Sequence, residues 1–371
     1  MKLETPENIH SIIPYPPGKP LEELEREYGI TDSIKLASNE NPWGPSPKAI
    51  KAVQEIATNL HRYPDGSNHY LLQAIAGKEG VDPSQVVIGN GSNEVIEFLV
   101  KAFVEDEDEV ITSHPSFLMY QKFVQIRGGI NVVLPLVEMR HDLEAIVDHC
   151  SSRTKLIFLD NPNNPTGTAI QKEAFERFLN GLPETLLVVL DEAYVDFMED
   201  SDKIDLGSLL SPVEGRCGVV SLRTFSKAYG LAGLRVGYGL MDPDIAENLN
   251  KVRQPFNVNM LAQAGAIAAV KDTEFFKKTI TATREGRKYL QQEVEKLGCL
   301  PYPSHTNFFL IDVRGDATRL YEAMLYKGVI VRSMKAYGYP NFIRITVGTE
   351  TENRRFLAAL QTCLQDLHYV S

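Results

Sequence analysis

The segment Ser221-Leu-Arg-Thr-Phe-Ser-Lys227 puts a lysine directly behind an apolar run, flanked by hydroxyls, and Arg235 follows eight residues on in Gly230-Leu-Ala-Gly-Leu-Arg-Val-Gly-Tyr238. A primary amine at the end of a buried strand can serve as nucleophile or proton carrier when its surroundings keep it partly neutral. Leu187-Val-Val-Leu-Asp191-Glu-Ala-Tyr194 ends a second apolar run in an acid. That acid is either the cap of the next element or a carboxylate held against a cation. Asp160-Asn-Pro-Asn-Asn-Pro-Thr-Gly167 is a turn stiffened by two prolines, which would present Asn164 as a fixed hydrogen-bonding amide or be purely structural. Gly89-Asn-Gly-Ser-Asn-Glu94 stands between a strand and a helix. Its free amides at the helix N-terminus make either a cradle for one phosphate or a plain capped helix start. Position 94 is Glu where a dinucleotide fingerprint needs a third Gly, and no GxxxxGK[ST] occurs, so nicotinamide and nucleoside-triphosphate chemistry lose their main support.

These motifs all follow short apolar runs. Val86 to Ile88, Glu109 to Thr112, Asn131 to Leu134, Lys155 to Leu159, Leu186 to Leu190, Val219 to Leu222 and Val236 to Leu240 read as strands. Helical patterns lie between several of them, at residues 48–60, 92–103 and 117–125. That alternation predicts a mainly parallel sheet covered on both faces, whose ligands sit outside the carboxyl ends of the strands. Residues 259–270 and 272–297 read as helices, the second long enough to bridge two domains. An α+β pattern follows, with strands at 307–313 and 342–347 and helices at 318–326 and 352–367. Four prolines between Pro14 and Pro20 exclude a helix there, and residues 21–28 read as one. The predicted division is an arm over residues 1–35 associated with the smaller domain, a large domain over 36–258, and a small domain over 259–371.

The chain has 371 residues, enough for about two domains, and a net charge of −11. Such a surface repels polyanions at long range, which argues against a nucleic-acid or anionic-membrane partner. The four cysteines are scattered singly and the histidines make no HxxxH pair, so neither a metal site nor a disulfide framework is expected. The first ten residues are polar and acidic, with no targeting pattern, which points to the cytoplasm.

Taken in order, KLASNENPWGPSP, RYPDG, NPNNPTG, DEAY, RTFSKAYGLAGLRVGY and FIRITVGT resemble the pyridoxal-phosphate-dependent aminotransferases of the aspartate aminotransferase fold, from Lys35 to Thr349. The resemblance implies an α/β fold of type I: a large domain on a mainly parallel seven-stranded sheet flanked by helices, plus a smaller α+β domain. It implies pyridoxal 5'-phosphate as cofactor. The implied reaction is transamination between L-histidinol phosphate and 2-oxoglutarate, giving imidazole-acetol phosphate and L-glutamate in histidine biosynthesis. An aromatic-amino-acid aminotransferase or a phosphothreonine-type decarboxylase would use the same scaffold. A non-catalytic cofactor-binding regulator would need a further module, for which the chain has no spare segment.

By the same resemblance Lys227 would bond the cofactor aldehyde and carry the proton. Asp191 would pair with the ring nitrogen, and Asn164 and Tyr194 with the ring oxygen. The phosphate would rest on Gly91, Ser92, Asn93, Thr224, Ser226 and Arg235. Phe117 takes the ring-stacking position where many relatives have Tyr, so a hydroxyl is lost there. Tyr63 would reach the neighbouring subunit's phosphate, making a homodimer with a shared site. Arg332 and Arg344 would bind the anionic tail of either substrate, Asn39 would also bind substrate, and the arm with Tyr15 would close over it.

Overall fold

The computed structural model describes residues 4–14, 26, 29–211 and 213–369. A two-residue strand, β1 (Ile34–Lys35), precedes seven longer ones: β2 (Val86–Gly89), β3 (Glu109–His114), β4 (Ile130–Pro135), β5 (Thr154–Asp160), β6 (Leu187–Asp191), β7 (Gly218–Thr224) and β8 (Gly237–Leu240). The seven form one sheet in the order β2-β8-β7-β6-β5-β3-β4. Only β8 runs against the rest. The central strands are apolar on both faces because each face has its own core. On β5 and β6, Ile157, Leu159, Val188 and Leu190 enter one core, and Leu156, Phe158, Leu187 and Val189 enter the other. Alternation of side chains along a strand dictates that split.

The expected large sheet and smaller α+β unit are both present. In the latter, β9 (Leu300–Pro301), β10 (Phe308–Asp312), β12 (Arg332–Ser333) and β13 (Phe342–Thr346) pair antiparallel in the order β12-β13-β10-β9, while β11 (Val329–Ile330) pairs with β1. The helices Ala317–Tyr326 and Glu350–Asp366 close this second core over Phe309, Ile311, Ile343 and Ile345. The helix Thr273–Lys296 spans both units. Phe276 packs on the large core, and Leu290 and Val294 lie in the small one.

Three boundaries differ from the sequence reading. The helix Met260–Lys271 sits with the large unit, because Ala262, Ala266 and Ala269 pack with Ala49, Leu71 and Ile75. Small residues at helical spacing let it approach closely, so the division falls near Asp272. The described part of the arm is also split. The short helix Glu7–His10 lies against the helix Met119–Arg127, where Asn8 Nδ2 donates to the Gln125 carbonyl at 3.1 Å, while the arm's end joins the small unit through the Asp32–Arg355 ion pair and the strand Ile34–Lys35. Most of the helix read at 21–28 lies outside the described residues. Finally, the helix expected from residue 117 begins at Met119, which leaves Phe117 in the preceding loop. Four helices absent from the sequence reading, His69–Glu79, Leu143–Asp148, Lys172–Asn180 and Pro243–Val252, complete the covering layers.

Candidate active site

The carboxyl ends of β5, β6 and β7 face the small sheet across a cavity of about 300 Å³. Asp160 and Asp191 are register partners at the ends of adjacent parallel strands, and both line this cavity. So do Gly91, Ser92, Asn93, Phe117 and Asn164. Tyr194, Thr224, Ser226, Lys227 and Arg235 join them from the large unit, and Asn39, Arg332 and Arg344 complete the predicted set. Two predicted residues are not brought in. Tyr63 is 82 % exposed and stacks on Phe256 at 4.8 Å, outside its own chain's cavity. Tyr15 lies outside the described residues.

Lys227 Nζ donates to the Ser38 carbonyl at 3.4 Å and stands 5.5 Å from the centre of the Tyr194 ring. Burial, helped by the Arg344 and Arg235 charges, lowers its pKa to about 8. Asp191 is buried, and burial raises its pKa to about 6 against the opposing hydrogen bond from Tyr120. That bond, Tyr120 Oη to Asp191 Oδ2, is 2.8 Å, and the Tyr120 ring stacks on Phe158 at 4.7 Å. Tyr194 is pushed up to about 12 by burial, so it remains a phenol and can donate a hydrogen bond.

On β7 the side chains alternate. Thr224 faces the cavity, while Ser221 and Arg223 bind Glu192 on the opposite face, at 2.5 Å and 2.9 Å. The buried Glu192–Arg223 pair thus ties the ends of β6 and β7 together behind the site. In front, Ser226 N–H donates to Thr224 Oγ1 at 3.1 Å and Thr224 Oγ1 donates to Ser226 Oγ at 3.0 Å, folding the hydroxyls toward one point.

That point is also the start of the helix Ser92–Phe103, whose first amides have no carbonyl within their own turn to bond. Gly91, at φ +84°, has no side-chain cap and lies so close to Arg235 that a Cβ would meet its Nη2 at 2.8 Å. Asn93 Oδ1 is buried with no hydrogen-bond partner among the described residues. Helix amides, two hydroxyls, a guanidinium and a gap that only glycine leaves open form a donor set suited to a phosphate monoester.

Arg332 and Arg344 are directly opposed in the β12–β13 ladder. Like charges so placed repel unless an anion lies between them. Arg344 Nη1 donates to Asn164 Oδ1, its Nη2 donates to the Ala37 carbonyl at 2.9 Å, and its guanidinium lies 5.1 Å from the Phe308 ring centre. Asn39 lines the cavity, but its amide is taken up. Its Nδ2 donates to Tyr194 Oη at 2.9 Å, and Thr346 Oγ1 donates to its Oδ1 at 3.3 Å. It therefore fixes the tyrosine.

Sequence reasoning missed Tyr120 and Asp160 as cavity residues, and His141 behind them. Tyr120 is an ordinary helix residue in the sequence, and only the stacking of β5 and β6 beneath its helix shows its partner.

The family model described as aminotransferase class I and II matches residues 31–360. The chain is 64 % identical over 370 residues, 100 % of its own length and 98 % of the other, to the histidinol-phosphate aminotransferase of Desulfotalea psychrophila. It is 45 % identical over 358 residues, 96 % of its length and 92 % of the other, to that of Moorella thermoacetica. The crystal structure of histidinol-phosphate aminotransferase from Sinorhizobium meliloti in complex with pyridoxal-5'-phosphate matches with a TM-score of 0.90 and 31 % identity, over 99 % of each chain.

Proposed function

The chain belongs to the class I and II aminotransferases, and from that premise we propose that it catalyses the reversible transamination of L-histidinol phosphate with 2-oxoglutarate. The products are imidazole-acetol phosphate and L-glutamate, and the reaction belongs to histidine biosynthesis. The observation that carries this reading is the 64 % identity, over the whole chain, to the Desulfotalea protein of that activity.

The cofactor is pyridoxal 5'-phosphate, and the cavity fits it. The Gly91 gap and the helix amides, hydroxyls and guanidinium around it suit its phosphate, and the buried Asp191 suits its ring cation. The chemistry supplied by the bound cofactor is an aldehyde for the substrate amine and a ring that accepts the electrons of the α-carbon.

The chain's residues do the rest. Ser92, Asn93, Thr224, Ser226 and Arg235 hold the phosphate. Asp191 would pair with the protonated ring nitrogen, an opposite charge that would draw its pKa back down and keep the carboxylate ionised. Tyr194 donates to the ring oxygen. Asn164, whose Oδ1 is occupied by Arg344, offers its NH₂ to the same oxygen. Phe117 packs on the ring face. Lys227, partly neutral near pH 8, would accept the proton of the substrate's α-carbon and hold it for return. Arg332 and Arg344 bind the substrate phosphate in one half-reaction and a glutamate or 2-oxoglutarate carboxylate in the other, so one pocket serves both substrates. A single-turnover amine-donor panel, followed by cofactor absorbance, tests this. Histidinol phosphate should convert the cofactor fastest; phenylalanine or tyrosine outpacing it would overturn the substrate assignment.

The working unit in this reading is a homodimer. Leu60, Tyr63, Tyr70 and Phe256 are exposed on the large unit, and such a rim of large apolar groups fits a second copy of the chain. Tyr63 would then reach the partner's phosphate site. The reaction is placed in the cytoplasm, where the four cysteines, all unpaired, would remain reduced. Among the described residues no helix is long and apolar enough to cross a membrane.

A further inference from the structure

Behind the cofactor cavity lies a buried imidazole that the reaction above leaves unused. His141 follows a tight turn, Val137 to Arg140, that is strapped to the end of the Asn161–Gly167 loop. Thr168 Oγ1 donates to the Met139 carbonyl at 2.8 Å, and Arg140 Nη1 to the Ala169 carbonyl at 3.0 Å. Asp142 then caps the helix Leu143–Asp148 through the Ala145 amide. His141 is thereby fixed between the cap and the strap. Its side chain is 2 % exposed and that of Asp160 is 5 %.

The hydrogen bonds settle how the ring is used. Nε2 lies 3.1 Å from Asp160 Oδ1 and 3.2 Å from the Asp160 carbonyl oxygen. Both partners are acceptors, so Nε2 carries a hydrogen and donates it. Nδ1 is held by Ser113 Oγ at 2.8 Å. Asp160 is in turn the anchor of the asparagine turn. Its Oδ2 accepts the Asn164 amide N–H at 2.9 Å, and its Oδ1 accepts Asn163 Nδ2 at 2.9 Å. Asn163 Oδ1 closes the loop on Thr166. A chain of contacts thus runs from Ser113 on β3 through His141 and Asp160 to Asn164, and from Asn164 Oδ1 to Arg344 on the small sheet.

We propose that His141 and Asp160 form a buried positioning pair that holds Asn164 at the angle needed to meet the cofactor's ring oxygen and Arg344 together. Asn164 sits on a loop, and a loop amide left to itself samples several orientations. The charge-assisted bond to its own backbone N–H removes that freedom. His141 removes the same freedom from Asp160, the way an outer partner orients an inner one. The proposal rests on the reading of Asn164 as a ring-oxygen contact.

The test is an absorbance titration of the bound cofactor against pH in the holoenzyme, with kcat and KM for histidinol phosphate and thermal unfolding measured alongside. Asn164→Ala should raise the midpoint of the visible-band transition by about one unit, the size of one charge-assisted hydrogen bond. His141→Ala should raise it in the same direction, and His141→Gln, whose amide nitrogen can stand where Nε2 stands, should return it to the parent value. His141→Asn keeps a partner for Ser113 but falls short of Asp160. It should behave as the alanine variant does, and it carries the test if the alanine variant fails to fold. A midpoint that moves in Asn164→Ala but not in the His141 variants overturns the positioning role, even if their thermal stability falls. A glutamine variant that matches the alanine variant overturns the hydrogen-bond basis. An unmoved midpoint in Asn164→Ala overturns the ring contact itself, and the pair's role with it.

Discussion

At the scale of single residues, the site depends on groups whose protonation is set by burial. Lys227, lowered to about 8, is protonated below that pH and neutral above it. Its bond formation with added pyridoxal phosphate in the cofactor-free protein should therefore speed up as pH rises toward 8 and flatten beyond. Stopped-flow absorbance would show this, and a rate still climbing past pH 10, the ordinary lysine range, would contradict it. Lys227→Ala should lower the rate of the half-reaction by about 10²–10⁴-fold or more, since a positioned proton carrier supplies that much. Asp191 is opposed by its own burial, and the Tyr120 hydroxyl works against that penalty. In Tyr120→Phe the Asp191 pKa should rise further above 6, leaving less carboxylate to meet the ring cation near neutral pH. Cofactor affinity should fall by about tenfold or more, the worth of a hydrogen bond to a charged group. Equilibrium titration of the cofactor-free variant measures it, and an unchanged affinity would show Tyr120 to be packing alone.

Among the elements, the start of the helix Ser92–Phe103 carries the sharpest geometric demand. Gly91 lies at φ +84°, and a Cβ there would press on the Arg235 guanidinium at 2.8 Å. Gly91→Ala should weaken cofactor binding by displacing Arg235, and should cost the fold about 1–3 kcal/mol of backbone strain. Both effects are read from the cofactor titration and from thermal unfolding of the cofactor-free chain. This element was legible in the sequence as a glycine turn between an apolar run and a helix, but the expected cap is absent, since Gly91 holds the cap position and no side chain bonds the first amides. The seven strands of the sheet were legible too, because runs such as Leu187–Leu190 are apolar at every position and stop at a polar residue. Lys227, Asp191 and Asn164 were legible as cavity residues for a related reason, Asp191 ending such a run and Lys227 and Asn164 following one within a few residues. The helix Lys172–Asn180, absent from the sequence reading, carries a readable signal in Phe175, Phe178 and Leu179 at helical spacing. The helix Met260–Lys271 was read as a helix but assigned to the wrong side, since an alanine face does not say which core it enters. His141, Asp160 and Tyr120 were not legible as a set. Tyr120 and Asp191 are 71 positions apart, and the sheet alone brings them together.

The whole molecule carries −11, yet each ligand of the proposed reaction is an anion. The surface charge therefore serves solubility, and attraction is confined to Arg235, Arg332, Arg344 and the helix amides inside the crevice, where salt screens least. One cation-rich crevice per chain still lacks what Tyr63 would add, because that side chain points away from its own cavity and stacks on the exposed Phe256. If two copies complete each other's phosphate sites, the contributions of Lys227 and Tyr63 to one site come from different chains. Lys227→Ala and Tyr63→Ala chains, each impaired alone, should then complement one another. After subunit exchange the mixed dimer would hold one site with both alanines and one with neither, and activity should rise above the sum of the separate variants. Mass measurement of the mixture would confirm that two chains are present. Activity that stays at the sum, with exchange demonstrated, would mean that each chain builds its site alone.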